Sequence, residues 1–401
     1  MNMKKLLALI MALAMVLSLA ACGGSSSDTT TDDTTTDTSA AADTTETEST
    51  GDATASTGGQ KIGISMPTKS LERWNRDGTY LKEQFEAAGY EVELAYADND
   101  TDQQNNDIAN LIADGVDILI IAAVDGDTLS QTLADAGDIP VIAYDRLIMN
   151  TDTIDYYVSF DNYQVGVLQA QHVIDTLGLD VNDTSVSYNI EFTAGPTSDN
   201  NAGYFFNGAM DTLQEYIDAG ILVIQSGKTT FEQCATNEWS TDTAMENMQN
   251  TLASYYSDGT QLDVALCSND STALGVAQAI STDYAGSNTV IVTGQDGDIA
   301  NLANIVDGLQ TMTVYKNVSD EAGVTLVLAQ EILAGNSPAE ELLDSLDAEA
   351  AYDTESYDYG TGIIPSYLLV PWTVTKDNLE DLVGTGLYEW DGDYLVSATD
   401  E

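Results

Sequence analysis

The sequence predicts an α/β protein with two doubly wound parallel-sheet domains and a ligand cleft between them. Short, continuously apolar segments alternate with amphipathic stretches, a pattern typical of strands that are buried on both faces and connected by helices. These strands are too many for one ordinary open sheet, and 401 residues suit about two domains. Doubly wound sheets bind ligands at the carboxyl ends of their strands, so we expect the cleft there.

The predicted elements begin at Lys61 and continue in alternation. The expected strands have the sequences KIGISM, VELAYA, DILIIAA, IPVIAY, YYVSF, VSYNIEF, ILVIQS, LDVALCS, TVIVTG and LQTMTVY. The expected helices cover residues 71–88, 103–113, 129–136, 165–177, 202–219, 243–256 and 273–280. Polar residues that come directly after the strands are therefore expected to line the cleft.

The polar residues at these strand ends are of a few recurring types. In chain order they are Lys69, Arg73, Trp74, Asp125, Asp145, Arg146, Asp199, Asn200, Asn201, Asn269, Asp270, Gln295, Asp296 and Lys316. Carboxylates, amides and basic groups can pair with adjacent sugar hydroxyls, and a flat aromatic ring can cover the C–H groups of a sugar. The alternative for Arg146 is a structural ion pair with Asp145 or Asp125, and both Trp74 and Trp239 could instead be core aromatics.

The charge balance is strongly acidic. The chain has 66 Asp and Glu against 11 Lys and Arg, and a formal net charge of −55. Binding of a nucleic acid requires Lys and Arg to replace its counterions, so nucleic acid is excluded as an ordinary partner. Arginine occurs only at Arg73, Arg76 and Arg146, and a guanidinium in so acidic a protein indicates a specific role.

The N-terminus indicates export and lipid attachment. Residues 1–22 combine a basic start at Lys4 and Lys5 with an apolar stretch, as in a secretion signal. The segment Leu-Ala-Ala-Cys, which ends at Cys22, resembles the bacterial lipobox, in which the cysteine is acylated and becomes the first mature residue. Residues 23–59 are rich in Ser, Thr and Asp and predict a disordered acidic tether. We therefore expect a protein anchored by lipid to the outer face of the cytoplasmic membrane.

Several stretches of the body together resemble one known family. They are PTKSLERW, IAYDRLI, SFDNYQVGVLQAQ, SDNNA, SNDSTALG, TGQDGD, QTMTVYK and IPSYLLVP, and they follow one another over the whole body from Lys61. In these stretches the chain resembles the periplasmic sugar-binding proteins of ABC transporters, in particular those for D-xylose and for multiple monosaccharides.

The resemblance implies the site residues and the mechanism. The implied sugar contacts are Arg73, Arg146, Asp199, Asn201, Asn269, Asp296 and Lys316. Trp74 and Trp239 are the implied stacking rings, with Asp125 as a further polar contact. The implied mechanism is closure of two lobes about a hinge of three chain crossings, near Asp161, Lys316 and Ile363. The lobes would then comprise residues 61–161 with 317–362, and 162–316 with 363–401.

The implied function is capture of an aldose of the xylose, glucose or galactose type by a monomer and delivery to the permease of an ABC importer. An alternative is a sugar sensor that presents its ligand to a chemoreceptor or membrane sensor kinase. An extracellular enzyme is a further class, but its acid and base have no clear candidates, since the lone His172 lies in a helical stretch. We expect no catalysis, cofactor or metal site.

Two further features are left open by the sequence. Cys234 and Cys267 follow Cys22 as the remaining thiols, and outside the cytoplasm they could form a disulfide or stay free. The acidic, Tyr-rich segment 345–359 is expected to be a solvated loop.

Overall fold

The structure is a computed structural model that describes residues 59–398. The predicted signal peptide, Cys22 and nearly all of the predicted tether lie outside the described residues. Two mainly parallel sheets, each covered by helices on both faces, confirm the predicted fold class. Among the helices of residues 59–398, none is both long and apolar enough to cross a membrane.

The strands of the described range are short, and those inside the two parallel sheets are mostly apolar. In chain order they are β1 (Lys61–Met66), β2 (Glu91–Tyr96), β3 (Ile118–Ile121), β4 (Val141–Tyr144), β5 (Tyr156–Phe160), β6 (Tyr188–Thr193), β7 (Leu222–Val223), β8 (Val264–Cys267), β9 (Ile291–Val292), β10 (Met312–Tyr315), β11 (Ala350–Asp353), β12 (Ser366–Leu369), β13 (Trp372–Thr375), β14 (Tyr388–Asp391) and β15 (Tyr394–Ser397).

The helices of the same range mostly connect consecutive strands. They are α1 (Glu72–Ala87), α2 (Thr101–Ala113), α3 (Ser130–Leu133), α4 (Asn162–Leu177), α5 (Asn200–Asp218), α6 (Phe231–Cys234), α7 (Thr241–Tyr255), α8 (Asp270–Asp283), α9 (Ile299–Asp307), α10 (Val318–Leu333) and α11 (Glu380–Gly384). Short 3₁₀ turns lie at Gly126–Thr128, Ala134–Ala136, Asn237–Trp239 and Glu340–Ser345. The sequence patterns did not single out α9 or α10.

The first lobe is built on the larger sheet. Its strands lie in the order β11-β12-β5-β4-β3-β1-β2, and only β11 is antiparallel to its neighbour. One face packs on α1 and α10 through a cluster that includes Ile64, Leu81 and Leu328, and the other face packs on α2 and α3. Both faces are thus buried, which explains why its central strands β3 and β4 consist of Ile, Leu, Val, Ala and Tyr.

The second lobe is built on the parallel sheet β7-β6-β8-β9. Helices α4 and α5 cover one face, and α7 and α8 cover the other. An isolated parallel bridge between Gln295 and Val314 connects this sheet to the antiparallel pair β10–β13. The hairpin β14–β15 packs with α9 and α11 in a separate apolar cluster. The carboxyl ends of both parallel sheets therefore provide the loops that meet between the lobes.

The chain crosses between the lobes three times, and one expected crossing is wrong. It passes into the second lobe after β5, and back into the first lobe between β10 and α10. The third crossing lies after Leu369 rather than near Ile363, because β12 pairs in parallel with β5 of the first sheet. The first lobe accordingly comprises residues 61–160 and 317–369, and the second lobe comprises residues 161–316 and 370–398.

The Tyr-rich segment 345–359 also differs from the expected solvated loop. It contains β11, which pairs with β12 at the edge of the first sheet. Tyr357 is buried, with its ring centroid 5.0 Å from that of Tyr157 and 5.1 Å from that of Tyr204. The burial of Tyr357 could not be predicted from the sequence, because one buried ring among exposed carboxylates produces no periodic pattern.

Helices α4 and α5 are in close contact through glycines. A Cβ atom on Gly208 of α5 would collide with the backbone carbonyl oxygen of Tyr163 in α4, and a Cβ atom on Gly166 of α4 would collide with that of Phe205. Gly203 lies on the same helix as Gly208, but the nearest neighbour of a Cβ atom there would be the ring of Phe231, at 4.0 Å. Close approach is thus required at two glycines and not at the third.

We expect Gly208→Ala to lower the free energy of unfolding by about 1–3 kcal/mol, because the added methyl group must push the helices apart. Gly203→Ala is the matched control, and better helix propensity should make it neutral or stabilising by up to about 1 kcal/mol. Urea denaturation of both variants measures the difference. Equal stabilities would contradict the close packing.

Candidate functional site

A cavity lies between the carboxyl ends of the two sheets and is lined by both lobes. Counted with its opening to solvent, it has a volume of about 380 Å³. The lining residues are Leu71, Arg73, Trp74, Asp145, Arg146, Asp199, Asn201, Phe205, Trp239, Asn269, Ser271, Gln295, Asp296 and Lys316. Polar groups that converge with aromatic rings on one concave space are typical of a small-ligand site.

Of the strand-end residues expected at the cleft from the sequence pattern alone, Asp145 and Gln295 line this cavity, whereas Lys69, Asn200 and Asp270 do not. Nine of the ten residues that the resemblance implies as sugar contacts line it as well, although they come from separate parts of the sequence. Asp125 is the exception. Its carboxylate accepts a hydrogen bond from the amide of Asp127 at 3.0 Å and caps the 3₁₀ turn Gly126–Thr128. It lies instead in a neighbouring groove with Arg146 and Trp239. A position at a strand end thus places a side chain near the cleft, but the conformation of the following turn determines whether it lines the cavity or the neighbouring groove.

Arg73 is the centre of a buried ion network. It lies in the first turn of α1, and its guanidinium forms ion pairs with Asp77 at 3.1 Å, Asp145 at 2.8 Å, Asp296 at 3.3 Å and Glu321 at 3.1 Å. Asp296 belongs to the second lobe and the other partners to the first. Arg73 therefore joins the lobes from within the cavity wall.

Lys316 completes the network at the second crossing. Its ammonium group donates to the Asp145 carboxylate at 2.6 Å and lies 5.0 Å from the centre of the Phe160 ring. Burial opposes ionisation of Asp145, but Arg73 and Lys316 outweigh it and hold the pKa of that carboxyl well below its usual range. Asp145 is therefore charged, and two buried cations hold it in place.

Arg146 forms a further connection between the lobes. Its Nε lies 3.0 Å from the Asp199 carboxylate of the second lobe, and its Nη1 donates to the carbonyl oxygen of Ala123 at 3.0 Å. The same Asp199 oxygen accepts a hydrogen bond from the Trp239 indole at 3.1 Å. The alternative ion pair of Arg146 with Asp145 or Asp125 is thus replaced by one across the cleft.

Helix N-termini position the polar groups of the second lobe. Asp199 caps α5 by accepting from the amide of Asn201 at 3.0 Å, and Asn269 caps α8 by accepting from the amide of Thr272 at 3.0 Å. Asp and Asn are favoured at this position because their side chains satisfy free backbone N–H groups. Asn201 also donates to the backbone carbonyl of Asp145 at 2.7 Å, again across the cleft. The caps thus fix both a helix and a wall of the cavity.

The apolar part of the wall consists of aromatic and aliphatic side chains. Trp74 lies beneath two guanidinium groups, 5.3 Å from Arg73 and 4.9 Å from Arg146. Leu71, Phe205 and Ser271 also line the cavity and were missed in the sequence. Phe205 follows Asn201 by one helical turn and so lies on the same face of α5, which is a signal that could have revealed it.

The charges that line the cavity balance one another. Arg73, Arg146 and Lys316 face Asp145, Asp199 and Asp296, and each cation is paired with at least one of these carboxylates. No lining charge is left for a charged ligand to neutralise. The arrangement therefore favours a neutral ligand rich in hydroxyl groups.

Buried carboxyls in and around the cavity wall have raised pKa values. Burial raises the pKa of Asp270 to about 7, with the charge of Asp296 adding to the effect. Burial likewise raises the pKa of Asp296, Asp298 and Glu321. Their proton affinity in the folded protein is therefore higher than in an unfolded chain.

The two cysteines stay free and form no disulfide with each other. Both are buried thiols. Cys267 packs with Ala265 among α7 and α8, whereas Cys234 packs on the opposite face of the sheet among α4 and α5. The sheet separates them, and burial raises the pKa of the Cys234 thiol to about 12.

Fold and site together define a two-lobed ligand-binding protein, in which three chain crossings connect the lobes around a buried polar cavity. A family model for the periplasmic binding protein domain matches residues 62–337. The chain belongs to the periplasmic sugar-binding proteins of type I fold, a family of receptors without enzymatic activity. This confirms the resemblance noted in the sequence.

Individual relatives share most of the chain. The multiple sugar-binding periplasmic receptor ChvE of Rhizobium radiobacter is 40% identical over 82% of this chain and 90% of its own length. The D-xylose-binding periplasmic protein of Escherichia coli is 33% identical over 80% and 89%. A solved ABC transporter solute-binding protein from Clostridium phytofermentans with bound β-D-glucose is 44% identical, with a TM-score of 0.77 over 82% of this chain and 98% of that one.

We expect the ligand-free protein to melt a few degrees higher at about pH 5.5 than at about pH 7.5. The raised pKa of Asp270 means that the folded state binds protons more tightly than the unfolded chain, so this stabilisation is lost as the pH rises through about 7. Calorimetric scans at matched ionic strength measure it, and Asp270→Asn should reduce the dependence. A pH dependence that Asp270→Asn leaves unchanged would contradict the raised pKa of Asp270.

Proposed function

We propose that this protein captures a neutral monosaccharide of the xylose, glucose or galactose type by closure of its lobes. The observation that carries the proposal is the balance of charge in the cavity, where three cations pair with three carboxylates. A sugar offers hydroxyl groups that can both donate to carboxylates and accept from guanidinium or ammonium groups. An anionic ligand would meet no unpaired cation.

Different residues of the cavity wall would act as donors, as acceptors and as apolar surfaces for the sugar. Arg73, Arg146 and Lys316 would donate to ring and hydroxyl oxygens, and Asp145, Asp199 and Asp296 would accept from hydroxyl groups. Asn201 and Asn269 supply amides, although Asn201 already donates to Asp145 and its free capacity is smaller. Trp74 and Trp239 provide flat apolar surfaces for the C–H groups of the sugar.

Closure would complete the site. Asp145, Arg146, Arg73 and Trp74 belong to the first lobe, whereas Asp199 and the other acceptors belong to the second. A sugar held by one lobe therefore gains its remaining partners only when the other lobe moves over it. The closed form would be the one recognised by a membrane partner.

The membrane partner is proposed to be the permease of an ABC sugar importer. The solved relative with bound β-D-glucose is described as an ABC transporter solute-binding protein, which supports this reading. The relative described as a receptor supports the alternative, a sensor that presents sugar to a chemoreceptor or membrane kinase. In both cases the protein would act outside the cytoplasmic membrane, as a monomer anchored through Cys22.

A panel of monosaccharides should raise the melting temperature of the fragment 60–401, because a ligand that binds only the native state stabilises it by mass action. At least one neutral aldose should give a clear rise, whereas sugar phosphates should give none. Protein that is free of co-purified sugar and yet responds to no aldose would contradict the proposal.

Replacement of a cavity cation tests the assigned site. Arg146→Ala should weaken binding of the best aldose by about 2 kcal/mol or more, because a buried charged hydrogen bond is lost. Lys61→Ala is the control, since it removes the same charge from a partly exposed pair with Glu93 at the amino end of β1, away from the cleft. Titration calorimetry measures both variants, and an unchanged affinity in Arg146→Ala would remove Arg146 from the site.

The anchor has its own test. Cys22→Ser should move the protein from the membrane fraction to the soluble exported fraction, because the acylated thiol is missing. Metabolic labelling with a fatty acid should mark the wild-type chain only. Labelling of both proteins, or of neither, would contradict lipid attachment at Cys22.

A further inference from the structure

Arg76 is the one arginine that does not line the cavity, yet it is held between the lobes. It lies on α1 of the first lobe, three residues after Arg73, and its guanidinium donates four hydrogen bonds. All four acceptors belong to the second lobe. They are the carbonyl oxygens of Asp296 at 2.9 Å and Gly297 at 3.1 Å, the Asp298 carboxylate at 3.0 Å and the Tyr388 hydroxyl at 2.8 Å.

The acceptors form a turn that is itself fixed within the second lobe. Asp270 accepts hydrogen bonds from the amides of Gly297 and Asp298, both at 2.9 Å, and Tyr388 donates to the carbonyl of Gly297 at 2.9 Å. Gly297 has a φ of 72°, and the ring of Tyr315 lies 2.8 Å from where its Cβ would stand. The turn thus presents its carbonyl oxygens in a defined direction, towards the first lobe.

The same turn carries a residue of the binding cavity. The Asp296 carboxylate lies 3.3 Å from Arg73 inside the cavity, while its carbonyl oxygen accepts from Arg76 on the outside. Residues three apart on a helix share a face, so Arg73 and Arg76 both face the 296–298 turn. Arg73 contacts its Asp296 carboxylate on the cavity side, and Arg76 contacts its carbonyl oxygens on the other side. Glu72 adds a further contact between the lobes by accepting from the amide of Ile299 at 3.3 Å.

We propose that Arg76 is a latch that stabilises the closed lobes without touching the ligand, and that it thereby sets the affinity for all ligands alike. The four hydrogen bonds can form only when α1 and the 296–298 turn meet. When a ligand requires the closed form, its apparent dissociation constant is inversely proportional to the closed fraction, whatever the ligand is. Arg76 is therefore a positioning residue for closure, and the inference rests on the proposed function.

The decisive measurement compares several sugars rather than one. Arg76→Ala should weaken the binding of every aldose that binds the wild type by roughly tenfold or more, through the loss of charged, buried hydrogen bonds. The ratio of affinities between sugars should stay within about twofold of its wild-type value, because no contact to the ligand changes. Lys82→Ala is the matched control on the same helix, since its exposed pair with Glu86 lies within the first lobe.

Two milder substitutions test the same contact and are less prone to disturb folding than Arg76→Ala. Arg76→Lys keeps the charge near Asp298 but loses the planar fork, and Tyr388→Phe removes a single acceptor. Both should give smaller losses than Arg76→Ala, again equal for all sugars. Affinities of all three variants within twofold of the wild type would overturn the proposal, as would losses that differ several-fold between sugars, since these would make Arg76 a specificity residue.

A distance measurement separates the latch from the proposed function. Spin labels at Asn106→Cys in the first lobe and Glu246→Cys in the second report the separation of the lobes, while Cys234 and Cys267 are buried. Without any sugar, Arg76→Ala should shift the distance distribution towards longer separations than the wild type. If the wild type binds no sugar, the proposed function fails. The latch is then tested by the distance distribution alone, and an unchanged distribution in Arg76→Ala would overturn the latch.

Discussion

The buried ion network around Arg73 is the interaction on which the arrangement of the lobes depends. Four carboxylates surround one guanidinium, and three of them belong to the same lobe as Arg73. Buried charges are tolerated only when they are paired, so removal of Arg73 would leave several carboxylates without a counter-ion. The fourth carboxylate, on Asp296, comes from the second lobe. The need to pair this charge therefore favours a defined approach of the second lobe to the first.

Positive charge is concentrated where the lobes meet. All three arginines of a chain with a net charge of −55 lie at this interface, and so does Lys316, which is fully buried. Arg73 and Arg146 reach into the cavity, whereas Arg76 holds the lobes from outside it. An acidic exterior around a cavity whose lining charges balance disfavours the approach and binding of anions, which is consistent with a neutral sugar as ligand.

Several residues that line the cleft are also helix caps that the fold requires. Parallel strands end at one edge of each sheet, and the helices that follow begin there, so capping residues such as Asp199 and Asn269 are brought to the cleft by the requirements of the helices themselves. In the proposed function, the same residues offer their remaining polar atoms to the sugar. This double use explains why a binding site can be assembled from separate strand ends without any dedicated loop.

The fold class and most of the cavity wall could be predicted from the sequence, because buried parallel strands have a distinct apolar pattern and their ends must meet at one edge. Tertiary structure decided what this local pattern does not encode. The pairing of β12 with β5 moved the third crossing beyond Leu369, and the opposite faces of one sheet separated Cys234 from Cys267. The contacts of Arg76 likewise could not be predicted from the sequence, because its partners belong to the other lobe. Strand partners, faces and contacts between lobes depend on residues distant in sequence, whereas periodicity reports only near neighbours.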